Sequence, residues 1–411
     1  MGLVGFTASR ATSWKQRLDW YLDPAGTHGG NDWNEGSATA PLRTWRELKK
    51  RVGQPWEPPG VGRIFVMSDC AESMGFEIVG HAPREDDFSD PHDGTIIGVS
   101  TVVDTVTLTS SSTTIASPST YSTITVAGKD WTPHIGRRIR VKDSPDGWLP
   151  GTFAFIRADL GSGVALVTPW VDGGGQATSP ASGTVCEIYT VPTVSGQWGI
   201  TVNSAIHYVA VDLDIGGNAG LSGIYVTAGY GAQAHAVQVL SNGYTLEAQQ
   251  GSNLELYGCF AAGGHIRSQG GHLVCWGGGA TGNGSRLYAL GGFVEIMGAM
   301  MLESGAFLDV QGGATMLVNA TVGLRNSSTH GIVATRGSIQ LSGQVFATGM
   351  TAAYGLEVEA GQEILCASGR LPVLATPATA FAKIGSETRS AAQLAAPYLS
   401  TNGALFAYKV L

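Results

Sequence analysis

The sequence has little charge and no long apolar runs, and each shortage excludes a class of protein. Only 14% of its 411 residues are charged, and its longest basic cluster is Lys49-Lys50-Arg51. It therefore lacks the cationic stripe that nucleic-acid binding needs. No stretch approaches the roughly eighteen continuous apolar residues of a membrane span, so we expect no membrane insertion. The N-terminus lacks a basic segment followed by an apolar stretch, so we expect synthesis in the cytoplasm without a signal peptide.

Cysteine is also scarce, with five residues that are far apart and form no C-x-x-C pair. This pattern supports neither a disulfide scaffold nor a zinc site, so we expect small buried thiols in a protein made in a reducing compartment. The acidic run from Glu85 to Asp93 favours a solvated loop, because a metal site needs ligands that converge at fixed geometry. We therefore expect no metal and no cofactor.

Glycine, by contrast, is abundant, with 59 residues, and it marks an internal repeat over residues 243–369. In six segments an apolar residue is followed five positions later by glycine, with a period of 20 to 24 residues. The apolar markers are Leu246, Ile266, Leu287, Leu308, Ile332 and Leu356, and the glycines are Gly251, Gly271, Gly292, Gly313, Gly337 and Gly361.

Each marker is followed two positions later by another small or apolar residue, which is the alternation of a strand with one buried face. A second short strand follows each glycine. Two to three short strands per turn, joined by glycine bends where positive φ costs little, predict a parallel β-helix. We expect such bends at Gly271 and Gly292. A leucine-rich repeat would need a Leu and Asn pattern, and a β-propeller about twice the length per unit, so neither fits well.

A short amphipathic helix is predicted near residues 44–52. Thr44 can cap its first turn and Glu47 can return the hydrogen bond, while Trp45, Leu48 and Val52 share one face. A helix ahead of a solenoid covers the unpaired edge of the first coil.

The stretch WYLDPAGTHGGNDWNEGSATAPLRTWREL contains a loop of the form G-x-D-x-N-x-G, a proline and this helix. The matching residues are Gly30, Asp32, Asn34, Gly36, Pro41 and Thr44. The stretch resembles the segment before the first coil in right-handed parallel β-helix proteins of the pectate-lyase-like superfamily, as found in phage tailspikes and tail fibres. The resemblance implies an all-β solenoid that forms a homotrimer in the virion. It also implies attachment to a tail or baseplate protein through the N-terminal region.

Composition and pattern divide the chain into five regions. They are residues 1–60, an attachment and capping segment; 61–94, a first coil and acidic linker; 95–192, an inserted small all-β domain; 193–369, the parallel β-helix; and 370–411, a C-terminal cap. Within the cap, SAAQLAAPYL predicts a short terminal helix.

Outward positions on successive coils supply the candidate site residues. Tyr257 and Trp276 would form a stacked pair able to bind sugar, with Glu255 and Glu295 two coils apart on the same face. Two coils separate the backbones of the two glutamates by roughly 10 Å. This is near the upper end of the distance between the two catalytic carboxyl groups of an inverting glycosidase. The alternative is that these are exposed or interfacial residues of a long strand.

Two functional hypotheses follow. The first is a structural spike of a phage or phage-like tail that binds a host cell-surface glycan. The second is a depolymerase, a glycoside hydrolase or polysaccharide lyase, that cleaves capsular or lipopolysaccharide glycan. The sequence favours the first, because no catalytic constellation rises above chance. The low charge between residues 195 and 369 favours faces that are buried between subunits.

Overall fold

The chain is a parallel β-solenoid with one helix near its N-terminus and an antiparallel module inserted within one of its coils. The computed structural model describes residues 19–53, 62–72, 74–79, 95–112, 115–116, 119–120, 122–142, 151–172, 175–195, 198–202, 208–216, 223–227, 231–240, 245–282, 284–326, 330–351, 354–367, 380–390, 393, 398–399 and 405–409. The predicted acidic run from Glu85 to Asp93, and residues 1–18 and 54–60 of the predicted attachment and capping segment, lie outside these residues.

Each coil of the solenoid has three faces. In one coil the chain runs along Asn253–Tyr257 on face A, Phe260–Ala262 on face B and His265–Gln269 on face C. The next coil repeats this order, so strands of the same face pair in parallel. Two long strands, His272–Thr281 and Phe293–Glu303, cross from face A to face B without a break.

The remaining strands are assigned to faces by their parallel pairing. Face A also contains Asp19–Leu22, Arg63–Val66, Thr95–Gly98, Tyr208–Val211, Gly231–His235, Ala314–Val318, Gly337–Leu341, Glu363–Ala367 and Leu405–Lys409. Face B also contains Thr193–Val194, Asp214–Ile215, Gln238–Leu240, Val322–Arg325 and Val345–Thr348. Face C also contains Met74–Ile78, Trp198–Val202, Gly223–Val226, Thr245–Gln249, Arg286–Leu290, Phe307–Gln311, Ile332–Ala334, Tyr354–Val358 and Ala380–Ile384.

The predicted coil register is confirmed. The six apolar markers are register partners in an unbroken stack on face C, and each is fully buried. They belong to one continuous apolar core that runs through the solenoid. Stacking identical positions every 20 to 24 residues buries apolar area that no single coil could bury alone.

The glycines that close the repeats are required for two different reasons. Gly251, Gly313 and Gly361 have φ of +77°, +77° and +72°, in the left-handed region that favours glycine. At Gly337, by contrast, a Cβ atom would lie 2.4 Å from the carbonyl oxygen of Ala314. This glycine allows two backbones to approach closely.

The prediction of unusual backbone angles at Gly271 and Gly292 is wrong. The positive φ belongs to the preceding glycines, +79° at Gly270 and +68° at Gly291. A Cβ atom at Gly292 would lie 2.1 Å from Oγ of Ser268 in the neighbouring coil. In these two Gly-Gly corners the first residue makes the bend, and the second allows the coils to pack.

The helix spans Trp45–Val52, and the Thr44 hydroxyl accepts a hydrogen bond from the Glu47 amide at 3.1 Å, as predicted for the N-cap. The reciprocal hydrogen bond, from the Thr44 amide to the Glu47 carboxylate, is not formed. The Thr44 amide donates instead to the Asp32 carboxylate, at 2.8 Å, and the Glu47 carboxylate pairs with Arg51 at 3.0 Å. The loop that contains Asp32 therefore fastens the start of the helix.

The inserted module is antiparallel, in contrast to the solenoid. Its strands are Thr101–Thr107, Ser110–Ser112, Ile115–Ala116, Ser119–Thr120, Ser122–Thr125, Arg138–Val141, Phe153–Gly161, Val164–Val167, Val171–Asp172, Gly175–Gln176 and Val185–Thr190, with a 3₁₀ turn at Thr132–His134. Thr101 pairs with Thr190, so the module begins and ends side by side. The preceding strand Thr95–Gly98 pairs in parallel with Arg63–Val66, so the module begins about six residues later than the boundary predicted at 95.

The module is joined to the solenoid by an apolar cluster that includes Phe153, Val171, Tyr257 and Phe260. Two long module arginines also cross the junction. One of them, Arg157, places its Nε 2.9 Å from Glu303 Oε2 on the solenoid.

The second arginine, Arg138, is 1% exposed and contacts two carboxylates of the solenoid. Its Nη2 lies 2.7 Å from Asp214 Oδ1 and its Nε 3.6 Å from Asp212 Oδ1, which also accepts from the Tyr189 hydroxyl at 3.1 Å. Burial raises the pKa of Asp212 to about 6 and also raises the pKa of Asp214. At this point of the junction, one buried arginine faces two carboxyl groups.

At the C-terminal end, parallel pairing gives way to antiparallel hairpins. Glu387–Arg389 pairs antiparallel with Ala380–Ile384, and Tyr398–Leu399 with Leu405–Lys409. The described end of the predicted terminal helix is thus a strand. Both hairpins occupy sheet edges that would otherwise invite pairing with another chain.

Candidate functional site on face C

Face A brings together the aromatic pair predicted from the sequence. Tyr257 and Trp276 are register partners with ring centroids 6.1 Å apart and planes 12° apart, so the predicted stacking is confirmed. Tyr257 is only 8% exposed because Phe153 and Val171 of the module pack in the same cluster, which agrees with the interfacial alternative; the glycan-binding role of the pair stays a prediction. A Cβ atom on Gly175 of the module would lie 2.8 Å from the Trp276 ring. The pair is therefore part of the junction.

The two predicted carboxylates also lie on face A. Glu255 and Glu295 are two coils apart, with the buried side chain of Val274 between them. Glu255 accepts a hydrogen bond from the Tyr257 hydroxyl at 2.8 Å, and Glu295 lies 3.2 Å from His272 Nε2. Each carboxylate is engaged by a neighbour, and their catalytic role stays a prediction.

A longer row of mostly polar side chains lies on face C, and six of its eight members directly follow an apolar marker. In chain order the row is Tyr225, Glu247, Arg267, Tyr288, Asp309, Val333, Glu357 and Lys383, each the register partner of the next. Successive side chains are therefore about 4.8 Å apart along the solenoid.

The cations of face C lie above its carboxylates. The Arg267 side chain is 25% exposed over Glu247, which is fully buried, and the Arg286 side chain is 38% exposed over Asp309, at 3%. The same order holds further along, where Lys383 is 38% exposed and its partner Glu357 is 16% exposed. A ligand approaching face C would meet cationic groups first.

Tyr288 holds two of these cations in place. The guanidinium carbons of Arg267 and Arg286 each lie 5.9 Å from its ring centroid, within range of a cation–π interaction. Arg267 Nη1 also donates to the Tyr288 oxygen at 2.9 Å, and Arg286 Nη1 lies 3.1 Å from Asp309 Oδ2. The two arginines are thus oriented by an aromatic ring and by carboxylates beneath them.

Two carboxyl groups of face C have pKa values shifted in opposite directions. Burial raises the pKa of Asp309, whose Oδ1 is buried and accepts no hydrogen bond from any residue the structure describes. His330 and Lys383, 3.4 and 2.7 Å away, lower the pKa of Glu357 to about 2. Val333 lies between the two acids in the row, so their backbones are roughly 10 Å apart.

The sequence does contain the signal for this row. Once the repeat is aligned, the position after each marker is Glu, Arg, Tyr, Asp, Val or Glu, a set unusually rich in charge for a solenoid with so little. The aligned repeat does not show which of these side chains are buried. In the structure the carboxylates Glu247 and Asp309 are buried, whereas the arginines that pair with them are partly exposed.

Within the part of the chain that the structure describes, no group of three or more His, Cys, Asp or Glu side chains could hold a metal ion. No helix among the described residues is long and apolar enough to cross a membrane.

The chain is similar to several solved structures. One is a glycoside hydrolase, 8% identical, aligned over 91% of this chain and 97% of that chain with a TM-score of 0.30. Another is the Gp54 tailspike of Acinetobacter baumannii bacteriophage AP22 in complex with A. baumannii capsular saccharide, 10% identical over 81% and 71%, with a TM-score of 0.20. A third is the tailspike protein gp49 from Pseudomonas phage LKA1, 12% identical over 88% and 79%, with a TM-score of 0.27.

No protein-family model and no curated protein matches the chain. With TM-scores of 0.30 or less, the functional proposal rests on the residues of this chain.

Proposed function

We propose that the protein is a glycan-binding spike whose binding surface is the outer row of face C. The observation that supports this proposal most directly is the length of that row. From Arg267 to Lys383 it crosses five strand spacings, or roughly 24 Å at about 4.8 Å each. A row of this length, with one member on each successive strand, fits a linear polymer lying along the solenoid better than a compact small molecule, which usually occupies an enclosed pocket.

The chemistry of the row favours a glycan over a nucleic acid. Carboxylates lie beneath the cations, and the whole chain has a formal charge of -8, whereas nucleic-acid surfaces are strongly positive. Guanidinium, carboxylate and phenol groups supply both donors and acceptors, as the hydroxyl groups of a sugar require.

A panel of immobilised capsular and lipopolysaccharide glycans tests this proposal. We expect the protein to bind at least one glycan and the variant Lys383→Gln to bind it several-fold more weakly. Lys142→Gln removes the same charge from the inserted module and should bind as the unaltered protein does. Tight binding to single-stranded DNA with no binding to any glycan would contradict the proposal.

The spike is proposed to be a homotrimer attached to a phage or phage-like tail through its N-terminal region, and thus located in the virion. Support comes from the outward side chains of face A beyond the module, where Leu317, Gln340 and Leu365 are successive register partners and Met297 is 37% exposed. An uncharged strip of this kind on a charge-poor solenoid is suited to packing between subunits. Light scattering after size-exclusion chromatography should give three times the mass of the chain, and a monomeric mass would exclude the trimer.

A second candidate function is hydrolysis of the bound glycan, favoured by the opposite pKa shifts of Asp309 and Glu357. Such a pair divides the roles of acid and base. Protonated Asp309 would donate its proton to the glycosidic oxygen as the bond to the anomeric carbon breaks. Ionised Glu357 would take a proton from the water that attacks that carbon, as in an inverting glycosidase. Arg286, which lies over Asp309, has to move aside for this step.

A reducing-end assay on a bound glycan tests the second function. Asp309→Asn and Glu357→Gln should each lower the rate by about 100-fold or more. Glu255→Gln and Glu295→Gln, the matched changes on face A, should leave it unchanged. Binding without release of reducing ends would leave a binding protein and exclude the hydrolase.

A further inference from the structure

The arginines of the solenoid are few and unevenly placed. Residues 193–369 contain four, Arg267, Arg286, Arg325 and Arg336, and no lysine. Arg267 and Arg286 lie on adjacent strands of face C and share the ring of Tyr288. Half of the cationic side chains between residues 193 and 369 are therefore gathered at one point of the proposed binding row.

The surroundings of this pair set its effective charge. The Glu247 and Asp309 carboxylates pair with the arginines and are buried under them. The Arg267 and Arg286 side chains, 25% and 38% exposed, are therefore the charged groups of this cluster that a ligand can reach.

The neighbouring side chains add shape and hydrogen-bonding capacity but little charge. Phe307 lies beneath Arg286, 5.3 Å from ring centroid to guanidinium carbon. His265 meets the Tyr288 ring edge-on at 5.7 Å, and burial lowers its pKa, which favours the neutral imidazole. Nδ1 of His265 has no hydrogen-bond partner among the described residues.

We infer that Arg267 and Arg286 form a subsite for a carboxylate-bearing sugar, so that the glycan recognised by face C is an acidic polysaccharide. This inference rests on the proposed function. Guanidinium groups bind carboxylates through paired, charge-assisted hydrogen bonds. Here two such groups are already oriented by an aromatic ring, so little side-chain freedom is lost on binding.

A matched pair of ligands tests the inference: an oligosaccharide of uronic acids and the same oligosaccharide with its carboxyl groups reduced to alcohols. We expect the acidic form to bind about tenfold or more tightly than the reduced form, in proportion to the strength of a charge-assisted hydrogen bond. Raising the salt concentration should weaken the acidic form only.

Arg286→Gln should lower affinity for the acidic form about tenfold and weaken binding of the reduced form clearly less. Arg286→Lys keeps the charge but loses the paired geometry, so it should fall between the two. Because removing Arg267 alone would leave Glu247 buried without its cation, that position is tested as Glu247→Gln with Arg267→Gln. Lys142→Gln on the module is the charge control.

The outcomes separate this inference from the proposal beneath it. Equal binding of the acidic and reduced forms would overturn the acidic subsite and leave glycan binding intact. A preference for phosphate-bearing over carboxylate-bearing glycans would also overturn it. If no glycan of any kind binds, the proposed function itself fails.

Discussion

Faces A and C carry the same kinds of residue, a tyrosine near a carboxylate, at equivalent positions of the repeat. The two faces differ in what packs against these residues. On face A, Tyr257 and its glutamate neighbour are covered by a module that begins about 150 residues earlier in the chain. On face C, Tyr288 is just as buried, at 7% exposed, but it is packed by Arg267, Arg286 and His265 of its own face, and the two arginines are partly exposed. The comparison shows that the same pair of residue types, an aromatic residue beside a carboxylate, can form part of a contact between domains or part of a candidate binding site. Which of the two it forms depends on the residues that pack against it.

The largest expected effect is on face A. Tyr257→Ala should remove about 3 kcal/mol from the free energy of unfolding, because the side chain is buried between solenoid and module. Glycan binding by face C should persist at temperatures where the variant is folded. Urea unfolding measures the first quantity and the glycan panel the second. Tyr225→Ala, a half-buried tyrosine on face C, is the control and should cost clearly less.

The next effect concerns the charged part of the junction. The pKa of Asp212 is raised to about 6 in the folded protein, above its unfolded value, so the folded state binds more protons between about pH 4 and pH 6. On going from pH 7.5 to pH 5, the wild-type protein should therefore gain up to about 2 kcal/mol of stability relative to Asp212→Asn. Urea unfolding of both proteins at both pH values measures this difference. An equal pH dependence in the two proteins would contradict the raised pKa.

A smaller effect, on binding alone, is expected at the far end of face C. Lys383 lies 2.7 Å from Glu357 and its side chain is 38% exposed, so Lys383→Gln should change stability by less than about 1 kcal/mol. Affinity for the bound glycan should fall by about threefold to tenfold in a titration. If the affinity is unchanged, Lys383 is not part of the binding surface, which is then confined to the region around Arg286.

The smallest effects belong to the two glutamates of face A. Glu255→Gln and Glu295→Gln preserve shape and hydrogen-bonding capacity, and each should change stability by less than about 0.5 kcal/mol. Neither should alter glycan binding, since face C is separate from them. A marked loss of binding or cleavage in either variant would show that the glycan site lies on face A and not on face C.

The sequence is sufficient for the coil register, because a glycine-marked period places each apolar marker on the next. It is not sufficient within the Gly-Gly corners, where both residues look alike and only the backbone shows that Gly270 makes the bend. The helix cap follows the same division. Thr44 is predictable from local spacing, whereas the partner of its amide, Asp32, comes from a loop twelve residues away.

The candidate site shows the same limit. Stacking of Tyr257 on Trp276 follows from the repeat, but its burial depends on Phe153 and Val171, which no local pattern connects to it. The row on face C is visible in the aligned repeat. Its meaning depends on which groups are buried, and this arises from packing between coils.

The position of the module also determines the order in which the chain can fold. One coil is interrupted between Gly98 and Thr193, so its two halves are separated by about 95 residues of chain. Closing so long a loop costs about 3 kcal/mol more entropy than closing a bend of four residues. The paired strands at Thr101 and Thr190 bring these ends together once the module has folded. We therefore expect the module to fold first and the interrupted coil to close late, so that mutations destabilising the module slow assembly of the solenoid.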